Sequence, residues 1–297
     1  MGRSIERIRA LSRHWGWMIA EHVGMRQPEP VLVPTGSLPE REAWDAAQFG
    51  AFWFGQATTL LRVNGTTILT DPHFGDRAGT TVYGRQTGRK RSTALPGSIE
   101  DLPQIDVVLL SHAHMDHWHK ASLERLANSH SSVVIPKNTR RLLPHRGRHF
   151  GHIMELDWEH TESVSDLGIH ALPCKHWGAR FLLDVHRGYN AYVIEADNRK
   201  LVFAADTAET DSFDHLSGID TVIMGIGNYY VPWDTMHATP EQASAMAERM
   251  GARRFMPVHH STFRDPSEPM NEPIERLKLA WQPKPIICER IGDVHLE

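Results

Sequence analysis

The chain has 297 residues, 40% of them hydrophobic and 23% charged, with a formal net charge of −4. That is enough to bury a large core without staples, and the composition is neither disordered nor fibrous. The lack of a basic excess argues against nucleic acid as a partner, and two cysteines, Cys174 and Cys288, argue against a disulfide framework.

Met1 to Val23 spaces Ile5, Ile8, Leu11, Trp15, Met18 and Ile19 between Arg3, Arg7, Arg9 and Arg13, which predicts an amphipathic helix. The arginines interrupt every run that a secretory signal or a membrane span would need, so the chain is expected in the cytoplasm. Two readings of this helix stand: docking on its own domain or a partner subunit, or peripheral contact with the inner membrane surface. Gln27–Pro39 holds four prolines and reads as a connector. Residues 1–45 are therefore expected as helix and connector, and 46–297 as the main domain. There, Ala51–Phe54, Thr58–Val63 and Thr66–Thr70 read as strands, with Asn64-Gly65 as a hairpin turn. Asp106–Leu110, Val133–Ile135, Gly168–Leu172, Ala191–Glu195, Leu201–Ala204, Thr221–Met224 and Phe255–Val258 continue the strand pattern. Helices are predicted over Ala121–Ala127, over Pro240–Met250 with Thr239 as N-cap, and over Glu272–Ala280. Strands first, then strands mixed with helices, predict a sheet-on-sheet core flanked by helices.

Twenty histidines beside 36 acidic residues make imidazole and carboxylate the expected donors of a metal site. Ser111-His112-Ala113-His114-Met115-Asp116-His117 concentrates them directly after a predicted buried strand. Three imidazoles and a carboxylate at this spacing cannot share one face of a helix or strand, but on a loop they can converge. His112 and His114 suit one metal, and Asp116 and His117 can turn toward a second. His176, Asp206 and His259 each follow a later β segment, where loops gather at one sheet edge. Alone, each has an equally good structural reading. Together with the cluster they supply five histidines and two aspartates.

The text around these residues resembles the metallo-β-lactamase superfamily, in particular its N-acylphosphatidylethanolamine-hydrolysing phospholipase D branch, close to the ascorbate-phosphate lactonase type. The resemblance runs from about Phe52 to Phe263. It is carried by Trp53-Phe54-Gly55-Gln56-Ala57-Thr58, Leu69-Thr70-Asp71-Pro72-His73-Phe74, Glu155-Leu156-Asp157-Trp158, His176-Trp177-Gly178-Ala179-Arg180, Gly225-Ile226-Gly227-Asn228-Tyr229, Met236-His237-Ala238-Thr239-Pro240-Glu241 and His259-His260-Ser261-Thr262-Phe263. It implies an α/β fold, a four-layer αββα sandwich, here with an N-terminal helical extension. It also implies two divalent ions, one on His112, His114 and His176, the other on Asp116, His117 and His259, with Asp206 bridging and Asp71 orienting a ligand histidine. The chain departs from the branch at Ala205-Asp206-Thr207-Ala208, where glycines usually flank the aspartate, at Lys175, where glutamine is common, and at His260, where tryptophan is usual.

Two such ions, about 3.5–4 Å apart, would lower the pKa of a shared water and hold hydroxide in line with phosphorus or a carbonyl carbon. The donor set suits zinc best, with manganese and iron as the other candidates. Asp116 is the candidate proton shuttle, and His237 the candidate substrate-oxygen contact or proton donor. Arg85, Arg89, Lys90 and Arg91 form a basic loop able to receive a phosphate or an anionic lipid surface, with a solvated surface loop as the equal alternative, and Gly88, Lys90 and Arg91 resemble a Gly-Pro-Lys-Arg stretch of the phospholipase branch. Trp177, Tyr229, Tyr230 and Trp233 are candidates for an apolar substrate wall. The leading expectation is a dinuclear hydrolase cleaving a phosphodiester, with a lactonase or carboxylic ester hydrolase as the alternative. A non-catalytic relative is disfavoured by the complete donor set. A homo-oligomer is compatible with the sequence.

Overall fold

The computed structural model describes residues 2–22, 30–83, 85–180, 184–197 and 199–297; Val23, Gly84, part of the expected connector and the side chains of Arg3, Ile5, Trp17, Met18 and Arg85 lie outside the described positions. The chain opens with α1 (Gly2–His22) and α2 (Arg41–Ala46), followed by the meander β1 (Phe49–Gly55), β2 (Thr58–Val63) and β3 (Thr66–Thr70). A ribbon follows, made of β4 (Arg77–Ala78), β5 (Thr81–Val82), β6 (Arg85–Gln86) and β7 (Arg89–Lys90). Then come β8 (Val107–Leu109), α3 (Lys120–Leu126), β9 (Ser132–Pro136) and β10 (His152–Leu156). The second half holds β11 (Thr161–Val164), β12 (Leu167–Leu172), β13 (Ala191–Ala196), β14 (Arg199–Ala205), β15 (Thr221–Gly225), α4 (Pro240–Arg249), β16 (Arg254–Val258), α5 (Glu272–Ala280) and β17 (Val294–Leu296).

Two sheets result. The first has the order β10-β9-β8-β3-β2-β1-β17 and the second β11-β12-β13-β14-β15-β16. Each starts as an antiparallel meander and continues in parallel strands, β8 to β10 in the first and β15 and β16 in the second, and β17 adds an antiparallel edge beside β1. The β2–β3 turn is the one the sequence predicts: Val63 pairs with Thr66, and both Asn64 (φ 46°) and Gly65 (φ 85°) are left-handed, as a two-residue hairpin of this type requires.

Strand periodicity sorts the core into layers. Phe49, Ala51 and Trp53 of β1 meet Leu201, Phe203 and Ala205 of β14 between the sheets. The alternate residues Phe52 and Phe54 face outward against Trp44, Trp118, Leu123 and Leu126. On the far side Val202 and Ala204 pack under α4 and α5, against Ala243, Met246, Ala247, Leu277 and Trp281. The result is helix, sheet, sheet, helix. Helix α4 starts as predicted: Thr239 Oγ1 accepts the Gln242 N–H, and the Gln242 side chain accepts the Thr239 N–H at 2.9 Å. It stops one residue early, with Met250 as its cap.

The expected boundary after residue 45 falls inside α2, whose Trp44 is buried in the core below the first sheet. Phe203 is fully buried between the sheets, three residues before Asp206. Its replacement by alanine is expected to lower unfolding free energy by about 3–5 kcal/mol, the range for large-to-small aromatic truncation, measured by denaturant titration.

Candidate metal centre

The carboxyl ends of β1, β3, β8, β12, β14, β15 and β16 deliver Gln56, Asp71, the 111–119 loop, His176, Asp206, the 226–238 loop and His259 to one edge of the sandwich. The 111–119 loop is fixed from both sides. Trp118 is fully buried, its N–H and that of His117 bond back to the His114 carbonyl, and Arg180 Nη1 donates to the carbonyls of Ala113 and Trp118, each at 2.9 Å.

The seven sequence-predicted donors converge. His112, His114, His176 and Asp206 place one donor atom each within 4.8 Å of one another, and so do Asp116, His117, Asp206 and His259. In the first group His112 Nε2 is 2.9 Å and His176 Nε2 3.2 Å from His114 Nδ1, and these two Nε2 atoms are 3.9 and 3.8 Å from Asp206 Oδ2. In the second, His117 Nε2 and His259 Nε2 are each 3.1 Å from Asp206 Oδ2 and 3.5 and 3.3 Å from Asp116 Oδ2. Donors arranged tetrahedrally about 2.0–2.1 Å from a cation stand about 3.3–3.5 Å apart, so both groups have the dimensions of a metal cradle.

Hydrogen bonding sets the tautomers. Asp71 receives the Ser111 N–H at 2.7 Å, the Ser111 hydroxyl at 2.5 Å and His117 Nδ1 at 2.7 Å. Because the Ser111 hydroxyl donates to Asp71, its oxygen accepts from His112 Nδ1 at 2.9 Å. His176 Nδ1 donates to the Met236 carbonyl at 3.1 Å. All three rings therefore aim an Nε2 lone pair at the cluster. Asp71, which also lies within reach of His112 and His117, spends its oxygens on Ser111 and His117 Nδ1.

The fit to a cation rests on these lone pairs. His117 Nε2 faces two carboxylates and has no hydrogen-bond partner, and Asp206 Oδ1 is likewise buried without one. Lone pairs aimed at carboxylates repel unless positive charge lies between them. The titration of the cluster expresses the same demand. Burial alone would lower His117 and His259, but Asp206 and Asp116 raise His117 well above its ordinary value and push His259 up to about 9. Burial opposes the charge on Asp116 and Asp206, yet the neighbouring His117 and His259 hold both well below the usual carboxylate range. Burial pushes His114 down to about 3.

His237 also reaches the site. Its Nδ1 is 3.9 Å from Asp206 Oδ2, and its ring stacks on His259 at 5.0 Å and meets His176 edge-on at 5.3 Å. Its side chain is 12% exposed and that of Asp116 23%, against 2% or less for His112, His117, His176, Asp206 and His259. Asp116 and His237 thus form the open side of the cluster, and Trp177 stands edge-on to His114 at 5.4 Å.

The proposed substrate contacts need correction. Arg91 is buried, donating to the carbonyls of Phe54, His73 and Gly75 and lying over the Phe263 ring, so its guanidinium braces the scaffold. Tyr229 is buried too, with its hydroxyl on Glu272 of α5 and Arg276 over its ring. Trp233 is held between His14 and Asp265. Lys90 stays half-buried on the ribbon, paired with Arg77.

Nothing in the sequence around Gln56 marks it as part of the site. Its Nε2 donates to Asp116 Oδ2 at 2.6 Å, its carbonyl accepts the His259 N–H at 2.9 Å, and its own N–H donates to Thr262 Oγ1 at 2.6 Å. Gln56, Asp71, Ala205 and His259 all have left-handed backbones, with φ of 50°, 34°, 47° and 61°. Ala205 thus bears the strain that a flanking glycine would relieve. Gly227 is required, since a Cβ there would stand 2.2 Å from the His259 carbonyl oxygen.

Comparison with known proteins agrees. The family model described as Beta-lactamase superfamily domain matches residues 66–260. An uncharacterised protein of Mycobacterium tuberculosis is 30% identical over 275 residues, covering 90% of this chain and 72% of that one. The N-acyl-phosphatidylethanolamine-hydrolyzing phospholipase D 1 of Caenorhabditis elegans is 30% identical over 246 residues, covering 77% of this chain and 68% of its own. The crystal structure of an isothiocyanate hydrolase from Delia radicum gut bacteria shares the fold, with a TM-score of 0.65 at 18% identity over 84% of this chain and 98% of that one. The chain belongs to the β-lactamase superfamily of metal-dependent hydrolases.

Proposed function

We propose that the chain is a dinuclear metal-dependent phosphodiesterase of the N-acylphosphatidylethanolamine-hydrolysing phospholipase D kind. The observation that carries this reading is the pair of four-donor groups sharing Asp206. His112, His114 and His176 would hold one ion and Asp116, His117 and His259 the other, with Asp206 common to both. The similarity to the nematode phospholipase supplies the substrate class. Zinc suits the imidazole and carboxylate set best, with manganese and iron as alternatives. When bound, divalent ions supply Lewis acidity toward a phosphoryl oxygen and lower the pKa of water.

The protein's own side chains do the rest. Asp71, Ser111 and the Met236 carbonyl hold His117, His112 and His176 in the required tautomers. Gln56 holds the Asp116 carboxylate by one oxygen, leaving the other free to carry a proton between solvent and the reacting atoms. His237, on the open side, would contact a substrate oxygen or protonate the leaving one.

Metal-reconstituted turnover should be compared on a bis-aryl phosphodiester, an N-acyl phospholipid, a lactone and a β-lactam. Both phosphodiesters are expected to be cleaved and chelation to abolish cleavage; preference for the lactone would replace this reading with the lactonase one. His114→Ala or Asp206→Ala is expected to lower kcat/KM by roughly 10²–10³-fold or more while far-UV circular dichroism stays native. Full activity in either variant would eliminate the site. Asp71→Asn and Gln56→Leu are each expected to weaken metal affinity by roughly 10–100-fold, read by competition with a chromogenic chelator.

A further inference from the structure

Helix α1 was open to two readings, docking on its own domain or lying on a membrane, and the structure gives it two separate faces. One face docks. Ala10 is buried, Arg7 Nη2 donates to Asp234 at 3.0 Å, and His14 meets Asp265 at 3.2 Å and the edge of Trp233 at 5.6 Å. Asp265 also receives Arg89 Nη2 at 2.8 Å. Asp234 and Trp233 belong to the 226–238 loop that carries His237, and Asp265 to the segment after His259. Helix α1 is therefore fastened beside the open side of the metal centre.

The other face has no cover among the described residues. Ile8, Leu11, Trp15 and Ile19 are 66%, 36%, 57% and 60% exposed. Their spacing of three, four and four residues puts them on one stripe, within an arc of roughly 80° at about 100° per residue, and roughly 16 Å long. Arg9 and Arg13 are exposed on the polar side of the same helix. The helix carries four arginines against two glutamates in a chain whose net charge is −4, so its positive charge is local. An apolar stripe with a tryptophan, backed by an arginine-bearing polar face and too polar to span a bilayer, has the composition of an interfacial helix. A second copy fits less well, because pairing would bring two cationic helices together without compensating carboxylates.

We propose that the Ile8–Leu11–Trp15–Ile19 stripe rests on an anionic phospholipid bilayer and so holds the open side of the metal centre at the lipid surface. The proposal deepens the phospholipid reading of the site and takes its purpose from it, while the docking itself rests on α1 alone. The test is flotation of the full chain with phosphatidylcholine vesicles, with and without phosphatidylglycerol. Binding is expected only where phosphatidylglycerol is present, weakened roughly tenfold or more by Ile8→Ser with Trp15→Ser, and weakened by Arg9→Glu with Arg13→Glu. Turnover of a soluble bis-aryl phosphodiester should stay within twofold of wild type in both variants, and its complete absence in wild type would sink the enzymatic reading while leaving the flotation result standing. No flotation, or equal flotation of wild type and variants, overturns the proposal. So does concentration-dependent dimerisation in analytical ultracentrifugation that Ile8→Ser with Trp15→Ser abolishes, since a second copy would then cover the stripe.

Discussion

A single buried carboxylate oxygen organises this molecule. Asp206 Oδ2 has five imidazole nitrogens within 3.9 Å, from His112, His117, His176, His237 and His259. Burying an ionised carboxylate so completely is unfavourable unless positive charge accompanies it. The surrounding hydrogen bonds keep the imidazole lone pairs inward. Asp71 and the Met236 carbonyl anchor His117 and His176, and Ser111 relays the constraint from Asp71 to His112. The site is thus preorganised by hydrogen bonds from outside the two donor groups.

That organisation strains the backbone. Left-handed conformations at Gln56, Asp71, Ala205 and His259 occur where strands end and side chains must turn abruptly into a shared volume. The β14–β15 pairing slips between Phe203 and Ala205, immediately before Asp206. Glycine at 225 lets this turn approach, since a Cβ there would stand 2.9 Å from the Ala205 carbonyl oxygen.

What was legible in the sequence follows from the same physics. Strands buried on both faces, such as Val107–Leu109 and Thr221–Gly225, are apolar enough to be read directly, and the histidine-rich loop announces itself by residue type. Strands β10 and β11 were missed because both lie at sheet edges and carry exposed polar residues that break the pattern. The ribbon β4–β7 was missed because its strands are two residues long. Arg91 and Tyr229 were misread because a sequence does not say whether a cation or a phenol will be spent on a ligand or on a neighbouring carbonyl or carboxylate. Gln56 escaped because an amide that steadies a carboxylate from a distant strand leaves no local signal.

The two donor groups also explain why the site lies where the sheets meet. His112, His114, Asp116 and His117 follow β8 of the first sheet, whereas His176, Asp206 and His259 follow β12, β14 and β16 of the second. Each four-donor group therefore draws on both sheets. An ion held by either group ties the two halves of the sandwich together, and its binding free energy is also a free energy of sheet association. The apolar layer between the sheets brings the donors within reach, and the donors in turn make the edge of that layer a place where only a cation-bearing arrangement leaves the buried lone pairs satisfied.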